Sequence, residues 1–231
     1  MVPCTLASGS MDDVPVEPVS GNGGGPGGGE GLRCRPDPSC VVALEASKPE
    51  LRRRFLLEAR RIPPHERLEF SRQLVTHLMA LSALQAARSV AFYSPLREEP
   101  LLDGLLEWAW ARGQQVFLPT VLSAEAMVFR RVHPEIALIP GRMGILEPGI
   151  EAEEALPGQL DVLVIPALAY DHQGVRLGRG KGYYDRIVPA FRAQAVLIGV
   201  CFSWARVERL PRDPWDLSVD CVVTETGGFA S

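Results

Sequence analysis

A chain of 231 residues that is 46% hydrophobic can bury one sizeable core, and nothing in its composition calls for a second. No run of about 18 apolar residues occurs, which excludes a helical membrane span. A net charge of −4 built from mixed signs excludes the broad basic face that nucleic-acid binding requires, while leaving room for a local cationic pocket. The five cysteines show no CxxC or Cys/His ligand spacing, so reduced thiols without zinc are expected.

In chain order, residues 1–43 contain GNGGGPGGGEG and scattered prolines, with too little apolar surface to offset chain entropy. They read as a disordered tail, leaving one domain over 44–231. No basic segment leads into an apolar stretch, and Asp12, Asp13 and Glu17 oppose a transit peptide, so a cytoplasmic location is expected. Ser47, Pro49 and Glu50 form a capping-box pattern that starts a helix at Lys48. Leu51, Phe55, Ala59 and Ile62 make its buried stripe, and Pro63-Pro64 ends it. A second helix is predicted over 64–81 with Leu74, Val75, Leu78 and Leu81 inward, and a third over 101–112, stopped by Gly113. Strand character appears at 89–93, 115–119, 127–131, 161–166, 196–202 and 219–224. Strands alternating with helices predict an α/β fold, a mostly parallel β-sheet with helices on both faces. Residues 139–158, rich in Gly, Pro and Glu, read either as a long loop on the active side or as a solvated connector.

Chemistry concentrates in the run Arg176-Leu177-Gly178-Arg179-Gly180-Lys181-Gly182-Tyr183-Tyr184-Asp185. Alternate glycines remove the side chains that would keep an anion off the backbone, and Arg176, Arg179 and Lys181 add cationic donors. A buried strand precedes the run and a helix is predicted over 183–191, so the segment has the composition of a phosphate cradle. Its cations repel one another unless an anion sits among them, and Asp185 offers a carboxylate to a metal on phosphate oxygens. Pro189 should shorten or kink the following helix near Val188. Lys48 and Arg52 share one face of the first helix, with Lys48 at the positive end of its dipole. That arrangement suits an outside anion, or else a plain solvated basic face continued by Arg53 and Arg54. The loop after the first strand, residues 93–100, lies where α/β sheets keep their ligands and carries Glu98 and Glu99.

The string LGRGKGYYD resembles the signature of the 5-formyltetrahydrofolate cyclo-ligase family, also called methenyltetrahydrofolate synthetases, and the similarity runs from about Ser47 to Thr224. It fits neither Walker A, which needs Ser or Thr after the lysine, nor GxGxxG. The resemblance implies the same α/β sandwich and an ATP- and Mg²⁺-dependent conversion of 5-formyltetrahydrofolate to 5,10-methenyltetrahydrofolate, with ADP and phosphate as products. It implies that Lys48, Arg52 and the segment Arg176, Leu177, Gly178, Arg179, Gly180, Lys181, Gly182, Tyr183 and Tyr184 contact ATP, and that Arg179 and Lys181 carry the catalytic charge. Tyr93 and Glu98 match folate-contacting positions, joined by the loop from Arg179 to Tyr183; a carboxylate accepts the paired N–H donors of the pterin edge. Asp185 and Asp216 match the magnesium ligands, with Asp213 and Asp220 as rivals for the second place. Thr120 stands where many members carry arginine.

In such a reaction the formyl oxygen attacks the γ-phosphorus, N10 closes on the activated carbon, and phosphate leaves. Positioning and charge stabilisation then matter more than a nucleophile. Arg179 and Lys181 are expected to face the triphosphate, with the Arg179 side chain solvated in the empty site. Small-molecule substrates, a monomer, and no nucleic-acid or membrane partner complete the expectation. Two other readings stay open: a sugar-phosphate isomerase or CoA transferase of similar fold, and a non-catalytic nucleotide/folate- or RNA-associated protein that keeps the fold.

Overall fold

The computed structural model describes residues 46–230. The tail read over 1–43, with Cys4, Cys34 and Cys40, lies outside the described residues. Helix α1 (Lys48–Arg61) starts where its capping pattern puts it. The Glu50 carboxylate accepts hydrogen bonds from the Ser47 amide at 2.9 Å and the Ser47 hydroxyl at 2.7 Å. Leu51, Phe55 and Ala59 are buried, whereas Ile62 caps the end half-buried. Helix α2 (Pro64–Met79) buries Leu74, Val75 and Leu78, with Leu81 buried just beyond it. A short α3 (Ser82–Ala86), not foreseen from the sequence, leads into β1 (Ser89–Ala91). The third expected helix starts late, as α4 (Leu105–Ala111), because Gly104 just before it takes a left-handed conformation at φ 78°.

The chain continues through β2 (Gln115–Val121), β3 (Met127–Val132), β4 (Ile139–Pro140), β5 (Leu146–Glu147), β6 (Val162–Pro166), β7 (Ala169–Asp171) and β8 (Arg176–Leu177). Then come α5 (Tyr183–Ile187), β9 (Val196–Val200), β10 (Arg206–Val207), β11 (Cys221–Thr224) and β12 (Gly227–Ala230). Pro189 acts as expected: α5 stops at Ile187 and gives way to one 3₁₀ turn over Val188–Ala190. Every expected strand is present with trimmed or extended ends. Those missing from the sequence reading, β4, β5, β7, β8, β10 and β12, are too short to show an alternating pattern.

The main sheet has the order β12-β11-β9-β6-β1-β2-β3; its inner pairings are parallel, and only β2–β3 and β11–β12 are antiparallel. Its strands are apolar on both faces because both faces are covered. Leu163, Ile165, Leu197 and Val222 join α1 and the Val188–Phe191 segment in one core. Val162, Val164, Ile198 and Val223 join α2, α3 and α4 in the other. The chain winds outward from β1 in both directions, first to β2 and later to β6, so a topological switch point lies between β1 and β6. Crevices beyond the carboxyl ends of strands at such a point are where doubly wound sheets bind ligands.

Candidate active site

A cavity of about 440 Å³ opens there, within the range of small-molecule sites. Pro166 and Ala167 at the end of β6, Pro119 and Val121 of β2, and Ser94, Leu96 and Glu99 after β1 form its floor and one wall. Lys48 and Arg52 of α1, all ten residues from Arg176 to Asp185, and Asp213, Trp215 and Asp216 form the other. Met143 and Ile145 reach it from the 139–158 segment, so that segment does border the active side.

The glycine loop is held from below. Asp171 is buried and accepts from the Gln173 and Val175 amides, both at 2.9 Å, and from the Leu210 amide at 3.1 Å, which fixes the β7–β8 hairpin that launches the loop. The Arg176 side chain is only 7% exposed. Its Nε donates to the Pro166 carbonyl at 2.9 Å, its guanidinium lies 4.9 Å from the Tyr184 ring centre, and Nη1 is 3.7 Å from Asp185 Oδ1. Arg52 Nε donates to the Gly178 carbonyl at 3.0 Å. Both arginines therefore brace the loop as well as charge it. The glycines are needed: a Cβ on Gly178 would sit 2.5 Å from Arg176 Nη1, and Gly180 and Gly182 hold φ of 89° and 69°.

Arg179 departs from the expectation of a solvated cation. Its Nη2 donates to Glu98 Oε2 at 3.0 Å and its Nε to Glu99 Oε1 at 3.2 Å. The acidic loop supplies the counter-charge that mutual repulsion among the cations demands. Lys181, by contrast, is exposed, and its ammonium has no hydrogen-bond or ion-pair partner among the described residues. Glu98 and Glu99 are perturbed in opposite directions. Burial lifts the Glu99 carboxyl above its ordinary value, against the pull of the Leu96 amide and Arg179. Burial also lifts Glu98, but bonds from Arg179 and from Arg60, whose Nε lies 3.2 Å away, outweigh it and leave this carboxyl below the ordinary value.

The acidic loop presents to the cavity residues adjacent to the two that the resemblance matched. Glu99 and Ser94 line the cavity; Glu98 and Tyr93 do not. Tyr93 is buried with its hydroxyl donating to the Pro100 carbonyl at 2.7 Å, and Ser94 beside it donates to the Leu146 carbonyl at 2.6 Å. Tyr93 and Ser94 are neighbours just after β1 that point to opposite sides, whereas Glu98 and Glu99 lie in a turn closed by the Glu99 amide on the Leu96 carbonyl at 3.0 Å, where alternation gives no signal. Trp215, 72% exposed, and Met143, at φ 69°, were also missed; neither carries a charge or motif to single it out. Thr120 is buried outside the cavity wall.

At the α1 end, Lys48 Nζ donates to Asp213 Oδ2 at 2.6 Å and also to Asp216 Oδ2. Desolvation lowers the lysine's proton affinity, but the two aspartates outweigh it and raise it above its ordinary value. Asp216 further accepts from the Asp213 amide at 2.5 Å. Asp220 lies apart, paired with Arg192 at 2.6 Å and with the Leu197 amide. The site thus brings together Lys48, Arg52, the whole glycine loop, Asp185 and Asp216, with Asp213 beside them.

Comparisons with known proteins agree with this geometry. A profile of the 5-formyltetrahydrofolate cyclo-ligase family matches residues 44–225. The 5-formyltetrahydrofolate cyclo-ligase of Escherichia coli strain K12 is 32% identical over 169 residues, covering 71% of this chain and 93% of that protein. The Mus musculus 5-formyltetrahydrofolate cyclo-ligase is 28% identical over 196 residues, covering 80% and 97%. The solved structure of Aquifex aeolicus 5,10-methenyltetrahydrofolate synthetase superposes with a TM-score of 0.71 at 35% identity, covering 79% of this chain and 92% of that one. The chain belongs to the 5-formyltetrahydrofolate cyclo-ligase family.

Proposed function

We propose that this chain, through one domain over residues 44–231, converts 5-formyltetrahydrofolate and ATP to 5,10-methenyltetrahydrofolate, ADP and phosphate. The observation that carries the reading is Arg179, which joins a glycine loop of cations to a buried carboxylate across one cavity. Donors on the loop suit a triphosphate, and the Glu99 carboxylate suits the N–H edge of a pterin. The folate-binding role expected for Glu98 passes to Glu99, since Glu99 lines the cavity.

In this reading the formyl oxygen attacks the γ-phosphorus and ADP leaves. N10 then attacks the formyl carbon and gives up its proton, and the C–O bond to phosphate breaks. Arg179 and Lys181 stabilise the negative charge that builds on the transferred group, while Arg52 and Arg176 hold the loop in the shape that presents their donors. Asp185 and Asp216 would hold Mg²⁺. Among the described residues no group of three or more His, Cys, Asp or Glu forms a complete metal cage. Two carboxylates completed by nucleotide oxygens and water are the composition that magnesium takes. When bound, the metal supplies charge neutralisation on the phosphates. Lys48, now paired with Asp213 and Asp216, would exchange part of that pairing for nucleotide.

Among the described residues no helix is long and apolar enough to cross a membrane. A cytoplasmic monomer acting on small molecules is the accompanying proposal, and its lack of a nucleic-acid partner rests on the mixed charge. The test is to incubate the purified chain with 5-formyltetrahydrofolate and Mg²⁺, with and without ATP, and follow methenyltetrahydrofolate absorbance. Product should form only with ATP and match the phosphate released. Turnover of a sugar phosphate or an acyl-CoA instead, with no ATP requirement, would favour the isomerase or transferase reading.

A further inference from the structure

Arg179 is held along one edge only. We propose that Glu98 is a positioning residue for Arg179, braced from its far side by Arg60, and that it acts on the reaction through that arginine rather than by touching a substrate. The inference rests on the function proposed above.

Glu98 bridges two guanidinium groups: Oε2 accepts from Arg179 Nη2 at 3.0 Å and Oε1 from Arg60 Nε at 3.2 Å. Its side chain is 10% exposed, and it borders a small void behind the wall, beside Phe55 and Trp204, instead of the large cavity. A guanidinium carries five N–H donors in one rigid plane. Glu99 takes the donor on Nε and Glu98 takes one on Nη2, which leaves the remaining donors on the opposite edge for a ligand. One hydrogen bond would act as a hinge; two on different nitrogens set the in-plane rotation and so aim the free edge. Gly178 and Gly180 flank Arg179 and offer it no side chain to pack on, so the carboxylate pair is what orients it. Glu99 is fixed independently by the Leu96 amide at 3.0 Å. Glu98 draws its second contact from Arg60 on α1, which ties the aim of the arginine to the helix that also carries Lys48 and Arg52.

The experiment is a double-mutant cycle on the full chain, with kcat, KM for both substrates and ligand-free Tm measured for each variant. Glu98→Ala should lower kcat on the order of tenfold, the scale of a misaligned reacting group, and leave KM for the folate within about twofold. Glu98→Gln keeps an acceptor for Nη2 and should recover most of the loss, and Arg60→Ala should cost only a few-fold. In an Arg179→Ala background, Glu98→Ala should cost nothing further. A full tenfold loss in that background, or a loss seen chiefly as a raised folate KM, overturns the proposal. If Glu98→Ala fails to fold, Arg60→Ala carries the cycle: its few-fold loss should vanish in the Arg179→Ala background, and the same loss persisting there overturns the proposal. If the unaltered chain shows no ATP-dependent cyclisation, the reaction reading falls by itself. The cycle is then read on inorganic triphosphate binding, where non-additive losses support the positioning role and additive losses overturn it.

Discussion

The glycine loop after β8 and the acidic loop after β1 face each other across the cavity, and they are stabilised in opposite ways. The cations of the glycine run repel one another, and of Arg176, Arg179 and Lys181 only Arg176 meets a carboxylate within the run, Asp185 at 3.7 Å. The run is held by hydrogen bonds to its backbone and by borrowed partners, chiefly the Pro166 carbonyl, Glu98 and Glu99. The acidic loop is anchored by its own buried side chains, Tyr93 on the Pro100 carbonyl and Glu99 on the Leu96 amide. The loop proposed to meet the triphosphate is thus braced from outside, while the loop proposed to read the pterin is built into the core.

The largest effect expected from breaking this arrangement is on Arg179. Arg179→Ala should lower kcat on the order of a hundredfold or more, the scale of losing one preorganised donor to a developing charge. Ligand-free stability should also fall, by about 1–3 kcal/mol, because Glu99 is left buried without its cation. Steady-state kinetics beside thermal melts check both; normal turnover would show that the loop is only structural.

On the acidic side, Glu99→Gln should weaken folate binding by roughly 1.5–3 kcal/mol, the worth of a charge-assisted hydrogen bond, and leave nucleotide affinity nearly unchanged. Glu98→Gln should leave folate affinity nearly unchanged. Calorimetry on the pair decides which glutamate meets the ligand, and the opposite ranking would restore Glu98 to that place. At the metal, Asp185→Asn or Asp216→Asn should raise the Mg²⁺ concentration needed for half-maximal turnover while folate binding without nucleotide persists. A normal titration for Asp216→Asn would move the second ligand to Asp213, which shares Lys48 with it.

The smallest effect expected is on the pH dependence of stability, and it separates the two glutamates by sign. Glu98 is depressed on folding, so its stabilisation is present above the ordinary carboxylate pKa of about 4.3 and is lost as pH falls through its lower folded value. Glu99 is raised, so its ionised form costs stability, and that cost is relieved as pH falls through its higher folded value. Glu98→Gln should flatten the acid loss of Tm, and Glu99→Gln should steepen it. Melting curves from neutral pH to about pH 3 check the signs.

Much of this was legible from residues alone, and the reasons differ by region. The α1 start, the Pro189 break and the parallel sheet follow from local rules that the tertiary structure did not override: a capping box, a missing N–H, and apolar runs between helices. The glycine loop was legible because its composition has few other uses. The acidic loop was legible in place, but not which of its glutamates lines the cavity, since Glu98 and Glu99 sit in a turn closed by the Glu99 amide on the Leu96 carbonyl, where strand alternation sets no direction. Arg179's partners were not legible at all. They arise from the approach of loops about 80 positions apart in sequence, which no local pattern encodes.

The central claim is phosphoryl transfer to the formyl oxygen on this cradle, and isotope transfer tests it most directly. With ¹⁸O placed in the formyl group of 5-formyltetrahydrofolate, one turnover in the presence of ATP should deliver the label into the released inorganic phosphate, detected by mass spectrometry. Label appearing in water instead, with unlabelled phosphate, would contradict the account.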